Sequence, residues 1–263
     1  MSSDPLAEIP RSRPIRKIDF TKSKIPRTIY QTFKTHRVPA AMLKAASSWI
    51  DNNPEFSYKF FDDAEMYDYV KRFACEDFSF TAPELWTAIN KIRPGAGKAD
   101  LFRYLLIYDK GGIYMDIDTV CLKSLSRFVE RDDDVVTGIG GRGDFHQWGL
   151  IYSPHHPFLK QTIENAVHNI LTETFVPGFE NSLEGLAGPP CLDWSIKQVL
   201  KQPPNSRFLP GIYQQEIDGK SFKVKILPRD FFGGNVGFKY SQYKSDLGQL
   251  GVAYWMDEPL FNP

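Results

Sequence analysis

The chain has 263 residues, 42% of them apolar and 24% charged, enough to bury a sizeable core and to exclude a disordered, collagenous or coiled-coil protein. Its 32 basic side chains balance 32 acidic ones, so the whole-chain basic footprint of a duplex nucleic-acid binder is absent. No apolar run of eighteen residues marks a transmembrane helix, and three widely spaced cysteines (Cys75, Cys121 and Cys191) argue for a reducing compartment over a disulfide framework.

Residues 1–24 hold prolines and a basic stretch, Arg11 to Lys17, with no apolar segment of a secretory leader; they read as a loosely packed N-terminal arm. The α/β domain is expected over 25–263. Arg27 to Phe33 is β-branched and aromatic and predicts a strand. Ala40 to Ile50 predicts a helix ending near Asn52-Asn53-Pro54, and Phe56 to Phe61 a second strand. Asp62-Asp63 can cap a helix running to about Phe73. This β-α-β-α opening suggests a mixed, mostly parallel sheet with helices on both faces.

Pro83 can open a short helix over Leu85 to Asn90, and Pro94-Gly95-Ala96-Gly97 reads as a break. Lys98 to Asp109 is a strongly apolar helix stopped by Gly111-Gly112. Ile113 to Met115 is a short buried strand delivering Asp116-Ile117-Asp118, after which Thr119 to Leu122 is extended. Strands are expected at Val135–Ile139 and Trp148–Tyr152, and helices at Pro157–Leu171 and Leu192–Leu200. Further strands are expected at Arg207–Leu209 and Phe222–Ile226. No internal repeat is visible.

The chemistry concentrates between Ala99 and Asp118. Asp100 and Arg103 lie three apart on an apolar helix and share one face. They are a buried, helix-anchoring ion pair or the polar rim of a ligand cavity. Asp116 and Asp118, two apart after a buried strand, would point to one side if the strand continued. Two carboxylates so placed repel each other unless a cation or proton lies between them. Oxygen ligands of this kind suit Mg²⁺ or Mn²⁺ beside a substrate phosphate.

Lys98-Ala-Asp-Leu-Phe-Arg-Tyr104, followed by Gly111-Gly-Ile-Tyr-Met-Asp-Ile-Asp118, resembles the signature of the DXD-containing glycosyltransferases of family 32. That family includes yeast Golgi α-1,6-mannosyltransferases and bacterial capsule enzymes, and its spacing is similar to that of the clostridial glucosylating toxins. Ile25 to Phe33, Trp49, Asn53-Pro54, Ser153-Pro-His-His-Pro-Phe158 and Gly188-Pro189 resemble its other landmarks in order. The resemblance implies a single-domain GT-A-like fold and a retaining, divalent-metal-dependent hexosyltransferase. Its partners would be a UDP- or GDP-sugar donor and a glycan, lipid or protein acceptor. By motif position, Asp116 and Asp118 would hold Mn²⁺ or Mg²⁺. Asp100 and Arg103 would contact donor sugar and phosphate, Tyr114 the ribose, and Ile29, Tyr30 and Gln31 the nucleobase. Trp255 matches a family tryptophan near the C-terminus. The histidine usual there is missing, which leaves Asp257 as a further candidate ligand.

Asp116-Ile-Asp-Thr-Val120 also fits the start of haloacid-dehalogenase-type phosphatases, with the first aspartate as nucleophile. That motif normally lies on a first strand, not after about 115 residues, so the phosphohydrolase is the alternative reading. An inactive nucleotide-sugar-binding module is a third. Gly138 to Gly143 lacks the helix that a dinucleotide loop needs. Asp132-Asp133-Asp134 reads as a solvated turn, and His155-His156 as a loop. Trp148 and Trp194 are core residues or sugar platforms. The expected setting is cytoplasmic, with membrane association an open alternative.

Overall fold

The computed structural model describes residues 6–14, 23–140, 143–232, 237–240 and 259–262. Short strands β1 (Ala7–Glu8) and β2 (Ser12–Arg13) precede β3 (Thr28–Thr32), β4 (Arg37–Val38) and helix α1 (Ala40–Asp51). Then follow β5 (Ser57–Phe61), α2 (Asp63–Lys71), α3 (Ala82–Lys91), α4 (Gly95–Lys110), β6 (Gly112–Met115) and β7 (Thr119–Cys121). Strands β8 (Val135–Gly138) and β9 (Gly149–Tyr152) lead to α5 (Pro157–Thr172), α6 (Leu183–Ala187) and α7 (Pro189–Val199). The hairpin β10 (Gly211–Ile217) and β11 (Lys220–Leu227) and the strand β12 (Phe238–Tyr240) complete the order.

Eight strands form one sheet in the order β10-β11-β8-β9-β6-β3-β5-β2. Parallel pairing joins β6 to β3, β3 to β5, and β11 to β8; the other four neighbours are antiparallel, so the sheet is mixed but not mostly parallel as expected, because β9 runs against both β6 and β8 and the β10–β11 hairpin and edge strand β2 add two more antiparallel pairs. Both faces are covered. On β6, Ile113 and Met115 belong to the core shared with α1, while Tyr114 belongs to the core built from α2 to α7. That alternation is the two-residue period of a strand, and it aims Tyr114 at α4.

Local chemistry explains where the elements start and stop. Asp62 caps α2 in a full capping box with Glu65, and Thr81 does the same for α3 with Glu84. Gly111 ends α4 at φ +60°, ψ −169°, backbone that essentially only glycine adopts. A Cβ there would meet Pro154 at 2.7 Å and Pro26 at 2.8 Å. The expected break at Pro94–Gly97 is instead the first turn of α4, with Pro94 at its N-cap. Gly97 is needed there for close packing: a Cβ would lie 2.4 Å from Leu183 Cδ1. The strand expected at Arg207–Leu209 is irregular chain, and regular pairing begins at Gly211, just beyond Pro210.

Residues of the N-terminal arm join the domain. Ala7 and Glu8 pair with Val38 and Arg37, and β2 pairs with β5. Arg13 donates to the carbonyls of Ile50 at 2.7 Å and Asn53 at 3.0 Å, and Arg11 meets Asp62 at 3.0 Å. Of the aspartates at 132–134, expected in a solvated turn, Asp132 is exposed but Asp133 and Asp134 are buried. Asp133 is fully buried, held by Lys223 and Lys225 at 3.1 and 2.8 Å, and Asp134 takes Lys24 at 2.7 Å. Lys223 and Lys225 come from β11, some ninety residues along the chain, and Lys24 from before β3, distances that local patterning cannot bridge.

Candidate functional site

The Asp116-Ile117-Asp118 segment lies at the C-terminal end of β6, where the strand gives way to a turn. The Asp116 carbonyl accepts from the Thr119 N–H at 3.1 Å and from its hydroxyl at 2.5 Å. The expected strand alternation of the two carboxylates is therefore replaced by turn geometry. Ile117, between them, is buried against the α1 side of the core and anchors the turn. The Asp116 N–H donates to the Trp148 carbonyl at 2.8 Å, which ties the turn to the start of β9.

Helix α4 brings Asp100 and Arg103 to the same place. Arg103 Nη2 lies 3.0 Å from Asp100 Oδ1 and 3.1 Å from Asp116 Oδ1, bridging the two carboxylates. Tyr114 donates its hydroxyl to Asp116 Oδ1 at 3.1 Å, and its ring lies 4.9 Å beneath the guanidinium. Gln31 Nε2 donates to the Asp116 carbonyl at 3.4 Å and its Oε1 accepts from the Tyr58 hydroxyl at 3.0 Å. Of the three strand residues expected beside a nucleobase, Gln31 reaches this cluster. Ile29 is packed in the core with α1, and the Tyr30 ring packs near Phe61 at 6.3 Å. Trp255 and Asp257 lie outside the described residues.

Charge makes the cluster unusual. Two carboxylates and one guanidinium sum to −1 in a site shielded from water. Burial pushes the Asp100 carboxyl up to about 6, against the pull of Arg103 and with added repulsion from Asp116. Asp116 moves up for the same reason, opposed by Arg103 and the Tyr114 hydroxyl. For Arg103, burial works against the charge, but Asp116, Tyr114 and Asp100 outweigh it. Asp116 is the most open of the three, its side chain 24% exposed against 12% for Asp100 and 6% for Arg103. A part-exposed carboxylate beside excess negative charge is chemistry that suits a hard divalent cation. Among the described residues another acidic group, Glu130, Asp132 and Asp133, has ligand atoms within 4.8 Å of one another. Lys223 and Lys225 already occupy it with five contacts of 3.1 Å or less.

Two partners of the cluster were not visible in the sequence. Gln147, on the segment entering β9, accepts from Arg103 Nη1 through Oε1 at 3.2 Å and donates from Nε2 to the Ala187 carbonyl at 3.2 Å. Tyr104 donates to the same carbonyl at 2.9 Å and to that of Gly188 at 3.3 Å. Gln147 carries no motif signal, and Tyr104 closes the signature block without being marked there as a site residue; each is recognised by what it touches. Trp148 is a core residue whose Nε1 donates to His146 Nδ1 at 3.1 Å, and Trp194 packs partly buried against the core.

Residues 39–136, which hold α1, α4 and the Asp116–Asp118 turn, match the family described as "Glycosyltransferase sugar-binding region containing DXD motif". Over that segment the chain is similar to the DXD-containing glycosyltransferases. It is similar to inositol phosphoceramide mannosyltransferase 3 of Schizosaccharomyces pombe, 29% identical over 54% of this chain and 37% of that protein. Inositol phosphoceramide mannosyltransferase 2 of the same yeast is 28% identical over 90% of this chain and 62% of its own length. The initiation-specific alpha-1,6-mannosyltransferase of Candida albicans is 28% identical over 53% of this chain and 38% of its own. The chain thus spans less than two thirds of the length of each of these curated relatives. Among solved structures, the "PaToxG Glycosyltransferase" superposes with a TM-score of 0.50 at 19% identity, covering 66% of this chain and 69% of that one. The mixed sheet flanked by helices is accordingly the GT-A-like fold that the DXD resemblance implied. No helix of the described residues is long and apolar enough to cross a membrane.

Proposed function

We propose that this DXD glycosyltransferase domain is a retaining, divalent-metal-dependent enzyme that moves a sugar from a UDP- or GDP-sugar to a glycan, lipid or protein acceptor. The observation that carries the proposal is Arg103 bridging Asp100 and Asp116 beside the DXD turn. The relatives' names make mannosyl transfer the first activity to test. They also make inositol phosphoceramide the first acceptor to test. Free cysteine thiols, with Cys121 and Cys191 buried, support a cytoplasmic setting, with or without membrane association.

In this reading Asp116 and Asp118 would hold Mn²⁺ or Mg²⁺. A cation bound there supplies positive charge to the donor's diphosphate. Arg103 supplies a second, fixed positive charge, which matters most as the bond from the anomeric carbon breaks and its electron pair passes to the departing oxygen. Asp100 accepts from donor hydroxyls while its ion pair keeps Arg103 aimed. Tyr114 and Gln31 border the nucleoside. Retention is assigned to the front face, where the leaving phosphate itself takes the acceptor's proton, so no separate base is named.

The test is a panel of UDP- and GDP-sugars incubated with the protein and either Mn²⁺ or EDTA, reading free nucleoside diphosphate. Slow, metal-dependent release from one donor supports the proposal and names the sugar. No release and no binding from any donor, with phosphate freed from simple phosphoesters, transfers the Asp116/Asp118 pair to the phosphohydrolase reading.

A further inference from the structure

We propose that Gln147 is a positioning residue of the reaction proposed above, on which this inference rests: it fixes Arg103 for the leaving diphosphate. Gln147 is 4% exposed, and a buried amide is stable only when both ends are paired. Its ends are sorted by polarity. The carbonyl oxygen faces the Arg103 guanidinium at 3.2 Å. The NH₂ group faces the Ala187 carbonyl at 3.2 Å. One side chain therefore holds Arg103, and through it the Asp100–Arg103 pair, to the α6–α7 junction.

Arg103 shows why this matters. Its Nε donates to the Ala99 carbonyl at 3.3 Å within its own helix, and its Nη2 is shared between Asp100 and Asp116. Nη1 is held by Gln147, through the side chain at 3.2 Å and the backbone carbonyl at 3.4 Å. Without the amide, that edge of the guanidinium keeps one long contact, and the cation is free to turn toward the two carboxylates. The next residue acts on the other half of the site, since the Trp148 carbonyl takes the Asp116 N–H at 2.8 Å. Residues 147 and 148 thus set Arg103 and Asp116 relative to each other from a single segment. A charge that stabilises a leaving group is effective only where it is fixed in advance.

The experiment is a double-mutant cycle on the full chain, using the donor that the wild type turns over with Mn²⁺. The four proteins are wild type, Gln147→Met, Arg103→Lys and the double variant. Methionine keeps the volume and removes the hydrogen bonds. We expect Gln147→Met to lower kcat about tenfold with donor KM moved less than about twofold. In the Arg103→Lys background the same substitution should cost less than about twofold. Gln147→Glu, whose charge competes for Arg103, should lower kcat further than methionine does. An equal loss with and without Arg103, or unchanged kcat in a folded Gln147→Met protein, makes Gln147 a core filler and overturns the role. Should Gln147→Met lose its cooperative melt, Gln147→Asn carries the same cycle. Absence of donor turnover and donor binding in the wild type removes the function and this role together. Normal wild-type turnover with a flat cycle removes only this role.

Discussion

The indole N–H of Trp49 donates to the backbone carbonyl of Thr119 at 2.9 Å and to its hydroxyl at 3.2 Å. Helix α1 thereby grips the turn that carries Asp116 and Asp118 from beneath. The residues just past its end add more: Asn52 donates to the Cys121 carbonyl at 2.8 Å, and Asn53 Oδ1 accepts from the Leu125 N–H at 2.7 Å. Trp49 and Asn53, family landmarks far from the DXD in sequence, are its mechanical support. Trp49→Phe keeps most of the ring and deletes the donor, leaving a buried carbonyl short of a partner. The expected cost is about 1–3 kcal/mol in urea unfolding, with weaker metal-dependent nucleotide-sugar binding. A lower urea midpoint with unchanged donor affinity would show that the turn holds its shape without α1.

Arg103 is worth more than any other single charge in the site, because it is shared. Arg103→Ala leaves the buried Asp100 carboxylate beside that of Asp116 with no cation between them. Breaking such a buried arrangement costs about 3–5 kcal/mol at neutral pH. The sign of the pH dependence follows from Asp100, whose carboxyl is already pushed up to about 6 by burial. A carboxyl raised above its unfolded value binds its proton more tightly in the folded state, so its contribution to stability falls as pH rises through that window. Removing Arg103 raises Asp100 further and extends the window upward. Urea midpoints in EDTA should show the variant recovering stability between pH 7 and pH 5 far more than the wild type. Parallel pH profiles for the two proteins would mean that Asp100 takes little part in the charge balance.

Much of this fold is legible in the sequence wherever local chemistry decides. The Asp62 capping box, the glycine stop at Gly111, the two-residue period of β6 and the i,i+3 pairing of Asp100 with Arg103 are all set by residues a few positions apart. What was hidden depends on distant partners. Strands β1, β2 and β4 are two residues each and exist only through their pairing. Strand β10 is exposed and rich in glutamine, and is made regular by β11 through the Asp218-Gly219 turn, both of whose residues have positive φ. Asp133 looked solvated because its lysines come from β11. Gln147 looked like any loop amide until Arg103 and Ala187 were placed beside it.

His156 caps α5 by accepting the Phe158 N–H on Nδ1 at 3.2 Å. It is fully buried among Tyr152, Phe158 and Phe222, with Nε2 unpartnered among the described residues. Burial lowers its pKa to about 3. The unfolded chain binds a proton near the usual histidine value, so below that point it gains protons the folded state refuses. Stability therefore falls as pH drops through the window from about 6.5 to about 3, by about 1.4 kcal/mol per pH unit for this group. His156→Asn, which keeps a capping acceptor, should flatten the acid limb of the stability profile. An unchanged slope between pH 6.5 and pH 4.5 in His156→Asn would assign acid sensitivity to other groups.

Two acidic groups compete for the role of cation site, and their neighbours separate them. Glu130, Asp132 and Asp133 face Lys223 and Lys225, whose ammonium groups already sit at 2.7–3.1 Å from the carboxylates. A divalent ion there would have to displace two lysines. Around Asp116, by contrast, the nearest fixed cation is a single guanidinium shared with Asp100. Asp118→Asn is nearly isosteric and removes one negative charge from the turn. It should abolish Mn²⁺-dependent nucleotide-sugar binding while shifting the melt by no more than a few degrees, about 1 kcal/mol for a chain of this size. Asp132→Asn, in the lysine-paired group, should leave Mn²⁺-dependent binding as it is in the wild type. Calorimetric titration of nucleotide with and without Mn²⁺ reads both. Full Mn²⁺ dependence in a folded Asp118→Asn protein would remove Asp118 from the ligand set, and loss of it in Asp132→Asn would place the ion beside β11.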